Sequence, residues 1–269
     1  MLLKDVELCF NRAVHYTFSK KKFWIIFPVL ILCGILIVFC RALSVGSISW
    51  MALSTVFLPI FLCAGVLLAV GTLLCRIYYH EVKSLKFHIH EIFSKSLDLI
   101  IGTAYLSFPP ILIYLLLWAL EGIFLLLKEI PSVGPYMGVF LAVAPFLITL
   151  SSILLVIFSL ALLFYATPVI AFHEKEKFFV FKRIREITRE NVFRSALLFL
   201  LAVIPLSLVL LLLILAAYLT NLHYVLGPGL LVVTVKWFFI MIPFCFFLSY
   251  AVIFFFNFAS ESYNLLRKN

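Results

Sequence analysis

Six long apolar runs decide what this chain can fold into. They cover about Phe23–Cys40, Trp50–Cys75, Leu97–Leu120, Met137–Ala171, Ser195–Leu219 and Leu230–Phe258. A helix needs about 20 such residues to cross the hydrocarbon core of a bilayer. Each run is too long and too evenly apolar to be a strand of a membrane barrel. The fourth and sixth exceed the minimum, so they tilt or reach beyond the lipid. Composition agrees: 65% of the residues are hydrophobic and 12% charged, against about 25% charged in a soluble domain. The expected fold class is all-α: a polytopic membrane protein with six transmembrane helices. It forms a single integral membrane domain over residues 1–269.

Charge sets the expected orientation. Eighteen of the 21 Lys and Arg residues fall in the N-terminal segment, the second and fourth connections and the C-terminal tail. Only Arg41, Lys128 and Lys236 belong to the other side. Short basic loops stay inside, so the chain is predicted to be a multi-pass protein of the cytoplasmic (inner) membrane with both termini in the cytoplasm. Trp50, Trp118 and Trp237 fall at outer ends of the runs and Trp24 at an inner end, where an indole finds both apolar and polar surroundings. Lys20-Lys21-Lys22 before the first run resembles the start of a signal peptide. The patterned sequence ahead of it argues for a retained span instead. The basic excess of +9 follows this membrane side and predicts no nucleic acid partner. Cys9, Cys33, Cys40, Cys63, Cys75 and Cys245 contain no CxxC pair. They read as small core residues, without a metal or disulfide framework.

The chain also has an internal rhythm. Each odd-numbered run follows a segment mixing charged and apolar residues: Leu2–Lys22, His80–Ser96 and Glu174–Arg194. Phe-Ser-Lys occurs in the first two, at Phe18–Lys20 and Phe93–Lys95. Prolines recur as well, at Pro28, Pro109-Pro110 and Pro205 in the odd runs and Pro59, Pro145 and Pro243 in the even ones. The expected unit is surface helix, span, span, giving possible repeats 1–79, 80–172 and 173–269. Intramembrane proline removes a helix hydrogen bond and bends the helix, so a shaped bundle is expected.

The charged segments carry helical periodicity. Val6, Phe10, Ala13, Val14 and Thr17 make an apolar stripe in the first, opposed by Lys4, Asp5, Asn11, Arg12 and His15. Val82, Leu85, Ile89, Ile92 and Phe93 do so in the second, and Val180, Phe181, Ile184 and Ile187 in the third. A spacing near 3.6 predicts three amphipathic helices at the cytoplasmic face. Such a helix buries its stripe at the headgroup boundary or against its own bundle. Lys182, Arg183, Arg185 and Arg189 are the candidate contacts to lipid headgroups, because basic side chains are drawn to anionic cytoplasmic lipid.

Residues 168–200 read PVIAFHEKEKFFVFKRIREITRENVFRSALLFL. This stretch resembles the membrane domain of the glycerophosphodiester phosphodiesterase type and its stand-alone bacterial relatives. Pro168-Val169-Ile170 stands for the span end, Glu174 or Glu176 for the acid, Lys182-Arg183 for the basic pair, and Thr188-Arg189-Glu190-Asn191 for the turn. Glu190 replaces the glycine of that turn, and the alanine and serine beside the basic pair are absent. The separate catalytic barrel of that family has no room in this chain. The resemblance therefore implies a six-span fold and a cytoplasmic-membrane location, not an activity.

Motifs for chemistry are few. His88-Ile89-His90-Glu91 places its histidines two apart, off a common helical face, and HExxH is absent. His80-Glu81 and His173-Glu174 add no ligand set, so no metal and no cofactor are expected. No GxSxG, Walker loop or GxGxxG occurs, and Gly227-Pro228-Gly229 and the Pro131–Pro135 stretch are turn signals. Asp98, Glu121, Lys128 and Lys236 are the charges nearest the spans. Each is expected to reach outward at an interface. The function read from the sequence is non-enzymatic: a scaffold or accessory protein acting on membrane lipids or partner proteins at the cytoplasmic face. A small-solute or lipid transporter, or permease subunit, is the alternative.

Overall fold

The computed structural model describes residues 3–44, 49–84, 102–103, 105–129, 134–172, 180, 182, 184–185, 192–220 and 230–267. Seven α-helices order these residues: α1 (Leu3–His15), α2 (Lys20–Ser44), α3 (Ser49–Val82), α4 (Phe108–Glu129), α5 (Gly134–Phe172), α6 (Val192–Leu219) and α7 (Leu230–Arg267). No strand occurs among the described residues. Helices α2 to α7 are each long and apolar enough to cross a bilayer. The chain is thus an all-α polytopic protein, as its hydropathy predicts. In hydrocarbon a helix satisfies its own backbone polar groups, and an open strand does not.

Helix α4 runs from Phe108 to Glu129, nine residues past the predicted end of the third run, Leu97–Leu120; residues 97–101 of that run lie outside the described residues. Pro109 and Pro110 fit the start of α4. Proline lacks an N–H and disfavours helix in the residue before it, so it suits only the first turn. A 3₁₀ turn at Tyr105–Ser107 leads into α4. The other prolines lie within helices, at Pro28, Pro59, Pro145, Pro168, Pro205 and Pro243.

Helices α3, α5 and α7 contact one another pairwise. Their C-terminal ends form the densest part of the molecule. Residues 71–78 of α3, 166–171 of α5 and 251–263 of α7 are all buried. Farther back, α7 from Phe238 to Phe247 is largely exposed, as a lipid-facing surface would be. Gly71 lets α3 and α7 close up: a Cβ there would collide with the ring of Phe256. The remaining helices pack in a cyclic order. Helix α2 lies on α3 and α7, and α4 lies on α5 and α3. Helix α6 lies on α7 and reaches α5, where Tyr165 donates to the Ser195 carbonyl at 2.8 Å and accepts from Ser195 Oγ at 2.8 Å.

The N-terminus, the ends of α3, α5 and α7, and the start of α6 gather at this dense end, called the basic end below. Helix α1 packs there against α7. Phe10 meets the rings of Phe254 and Phe258 at 5.2 and 6.1 Å, and Ala13 and Thr17 are buried. Lys4, Asn11, Arg12 and His15 are exposed. Val14, expected in the stripe, is exposed, and Cys9 takes a place against the core instead. A 3₁₀ turn at Tyr16–Phe18 and an extended Ser19 separate α1 from α2.

Candidate functional site

A buried polar network occupies the basic end. It starts with Lys22, in the first turn of α2. Lys22 is in phase with Ile26, Leu30 and Cys33, and all four are buried. Its side chain is fully enclosed, with Nζ 2.6 Å from Glu81 Oε2. Nζ also donates to Asn257 Oδ1 at 3.0 Å and to the Tyr16 carbonyl at 3.4 Å. An ammonium has three N–H donors, so each finds an acceptor. The ring of Tyr78 stands 4.7 Å from Nζ and adds a cation–π contact. Among the described residues no donor but this ammonium meets Glu81 Oε2, so the contact is an ion pair. Ser19 donates to Glu81 Oε1 at 2.8 Å.

The network continues to α1 and the end of α7. Asn257 Nδ2 donates to the Ala13 carbonyl at 3.3 Å, and Thr17 Oγ1 donates to the same oxygen at 2.8 Å. Tyr78 donates to Glu261 Oε1 at 2.7 Å, and Arg12 pairs with that oxygen at 3.5 Å. Lys22 thus meets Glu81 inside the protein, while the half-exposed Arg12 meets Glu261 at its edge. Arg76 Nε donates to the Ala171 carbonyl at 3.3 Å, offsetting the negative end of α5. Elements α1, α2, α3 and α7 are thereby tied at one level.

A groove of about 170 Å³ opens between α1 and the end of α7, lined by Asp5, Cys9, Arg12 and Glu261. Burial pushes the Cys9 thiol up to about 11, with the Glu261 carboxylate adding to the effect. A thiol so raised is a weak nucleophile at neutral pH. Among the described residues no three His, Cys, Asp or Glu side chains stand together as metal ligands.

The sequence-derived candidates fall in several places. Of the third charged segment, Val180 is buried and Ile184 is half-buried beside Pro168, Val169 and Tyr263. Lys182 and Arg185 are exposed. Arg183, Arg189, Phe181 and Ile187 lie outside the described residues, as do Asp98, the His88–Glu91 stretch and most of the second segment. Lys236 is exposed, and Arg41 stacks on Trp237 at 4.9 Å. Glu121 departs from expectation: it is 5% exposed and faces a cleft between α3, α4 and α5. Its seven-residue spacing from the buried Tyr114 puts both on the packed face of α4.

Sequence reasoning missed Lys22, Glu81, Asn257 and Glu261. The signal was present in part. Lys22 continues the stripe of Ile26 and Leu30, and Asn257 and Glu261 stand four apart, so they share one face of α7. Comparisons with family models, curated proteins and solved structures give no match.

Proposed function

We propose that the protein is a non-enzymatic scaffold or accessory protein of the cytoplasmic membrane, with both termini in the cytoplasm. It acts on lipid or partner proteins at the cytoplasmic face. The observation that carries this reading is the network around Lys22. Lys22 ties α2 to α3 and α7, and Asn257 holds α1 to α7 through the Ala13 carbonyl, leaving the polar side of α1 outward. Eighteen of 21 Lys and Arg residues fall, by sequence, in the N-terminal segment, the second and fourth connections and the C-terminal tail, the pattern of cytoplasmic loops. The likeness of residues 168–200 to a family membrane domain agrees with it. The cyclic packing agrees with three related units, 1–79, 80–172 and 173–269. Lys182, Arg183, Arg185 and Arg189 hold anionic headgroups, each worth about 1 kcal/mol near such a surface.

Native mass spectrometry of the protein taken from mixed phosphatidylglycerol and phosphatidylcholine bilayers tests this. Wild type should retain phosphatidylglycerol. Changing Lys182, Arg183, Arg185 and Arg189 to Glu should abolish the preference while the protein stays folded. Equal retention by both proteins refutes the headgroup assignment. A transporter is the second reading, and the observation in its favour is Glu121, a carboxyl buried in a spanning helix. Solute flux into proteoliposomes that Glu121→Gln abolishes would establish it over the scaffold.

A further inference from the structure

Glu121 sits about 20 Å along α4 from Phe108, at 1.5 Å per residue, in the half of the bundle away from the basic end. It is 5% exposed. Among the described residues neither a hydrogen-bond donor nor a cation stands against it. A bare carboxylate in a spanning segment is costly, so it takes up a proton or a counter-charge.

The cleft it lines says which kind. Thr149 and Ser152 of α5 line it too, with Phe57, Tyr114 and Trp118 as aromatic walls, the last two also carrying an O–H and an N–H donor. Thr149 Oγ1 donates to the Pro145 carbonyl at 2.8 Å, and Ser152 Oγ to the Ile148 carbonyl at 2.9 Å. Both hydroxyl protons are committed to the helix, so each oxygen offers only lone pairs to the cleft. One carboxylate and two such oxygens make an acceptor set of hard oxygen atoms, which suits an alkali or proton-like cation over a soft metal. One negative charge matches one positive charge. The free space holds about one water-sized body, which excludes organic ammonium ions.

We propose that the cleft binds one small monovalent inorganic cation of sodium size, held by Glu121, Thr149 and Ser152 and in competition with the proton. Tyr114, on the same helix, is the titratable group that faces Glu121. Phe57 of α3 and Ile148, Thr149 and Ser152 of α5 bring no ionising group. The inference concerns the opposite end from the headgroup contacts and rests on neither reading of the function.

Dicyclohexylcarbodiimide tests it on the wild-type protein in nanodiscs, because the reagent modifies protonated carboxyls in apolar surroundings. Mass spectrometry of peptides would locate the adduct. Glu121 should be labelled in choline chloride at pH 6 to 7. Sodium chloride at equal ionic strength should slow labelling about tenfold once sodium exceeds its dissociation constant about ninefold. Thr149→Val with Ser152→Ala should keep the labelling and lose the sodium protection, a result that a purely structural role for the hydroxyls would not give. Labelling at one rate in sodium and in choline overturns the proposal and leaves a neutral, structural carboxyl. Absence of any Glu121 adduct in choline overturns it as well.

Discussion

Lys22 is a full positive charge with a side chain closed off from solvent, held by three acceptors. Removing one partner of such a buried pair typically costs about 3–5 kcal/mol, whereas replacing both by apolar groups is near neutral. Lys22→Met should therefore lower the thermal midpoint of the detergent-solubilised protein sharply. Lys22→Met with Glu81→Leu should regain most of the loss. A double variant as unstable as the single one would mean that Lys22 acts through something other than Glu81. A second residue-scale prediction concerns Cys9, whose thiol is pushed up to about 11. Against an ordinary thiol at 9.0, iodoacetamide at pH 8 should find about a hundredfold less thiolate there. Glu261→Gln should speed alkylation, because the carboxylate is the second cause of the shift. A Cys9 alkylation rate unchanged by that substitution would refute the assignment. These roles were only half legible beforehand. The phase of Lys22 with Ile26 marks it as inward, but its partner Asn257 is 235 residues away. Only the assembled bundle brings those two together.

At the scale of elements, periodicity and length were the legible part. Six spans and a helix before the first of them follow from apolar runs and a 3.6 spacing, because lipid leaves a helix as the simple solution. Boundaries followed less well, since hydropathy counts residues and ignores backbone chemistry. It ends the third span at Leu120, while α4 continues to Glu129. It also ends the last run at Phe258, although α7 runs on to Arg267. That extension bears Glu261, and Tyr263 and Ser262 are buried around it, so it belongs to the packed core at the basic end. Which of the second, fourth and sixth spans touch was not legible, and Gly71 is where the answer can be tested. A side chain there meets Phe256, and overpacking a core typically costs about 1–3 kcal/mol. Gly71→Val should lower the thermal midpoint, and Phe256→Leu in the same chain should restore part of it. A loss that Phe256→Leu leaves untouched would place the clash elsewhere and put the α3–α7 contact in doubt.

The whole molecule is asymmetric from end to end. At the basic end α3, α5 and α7 converge into a core that encloses the Lys22–Glu81 ion pair, while the other half of α7 and much of α4 and α6 present exposed apolar side chains. A membrane supplies the missing surroundings of that second half. The Lys22–Glu81 pair needs no such help, because both partners are inside the protein. Charge on the connections follows the same axis, with Arg41 and Lys236 at the opposite end. If basic connections are held in the cytoplasm, reporter fusions after Lys177 and after Lys268 should be active only as cytoplasmic reporters. A fusion after Asn221 should be active only as an external one. The six-helix count makes this a strict test, since an even number of crossings returns the C-terminus to the side of the N-terminus. A C-terminal fusion on the external side would require an odd number of crossings or an inverted chain. An external report after Lys177 and Lys268, with a cytoplasmic one after Asn221, would invert the protein. Lys182 and Arg185 would then lie on the external surface, and the cytoplasmic headgroup contacts would have to be abandoned.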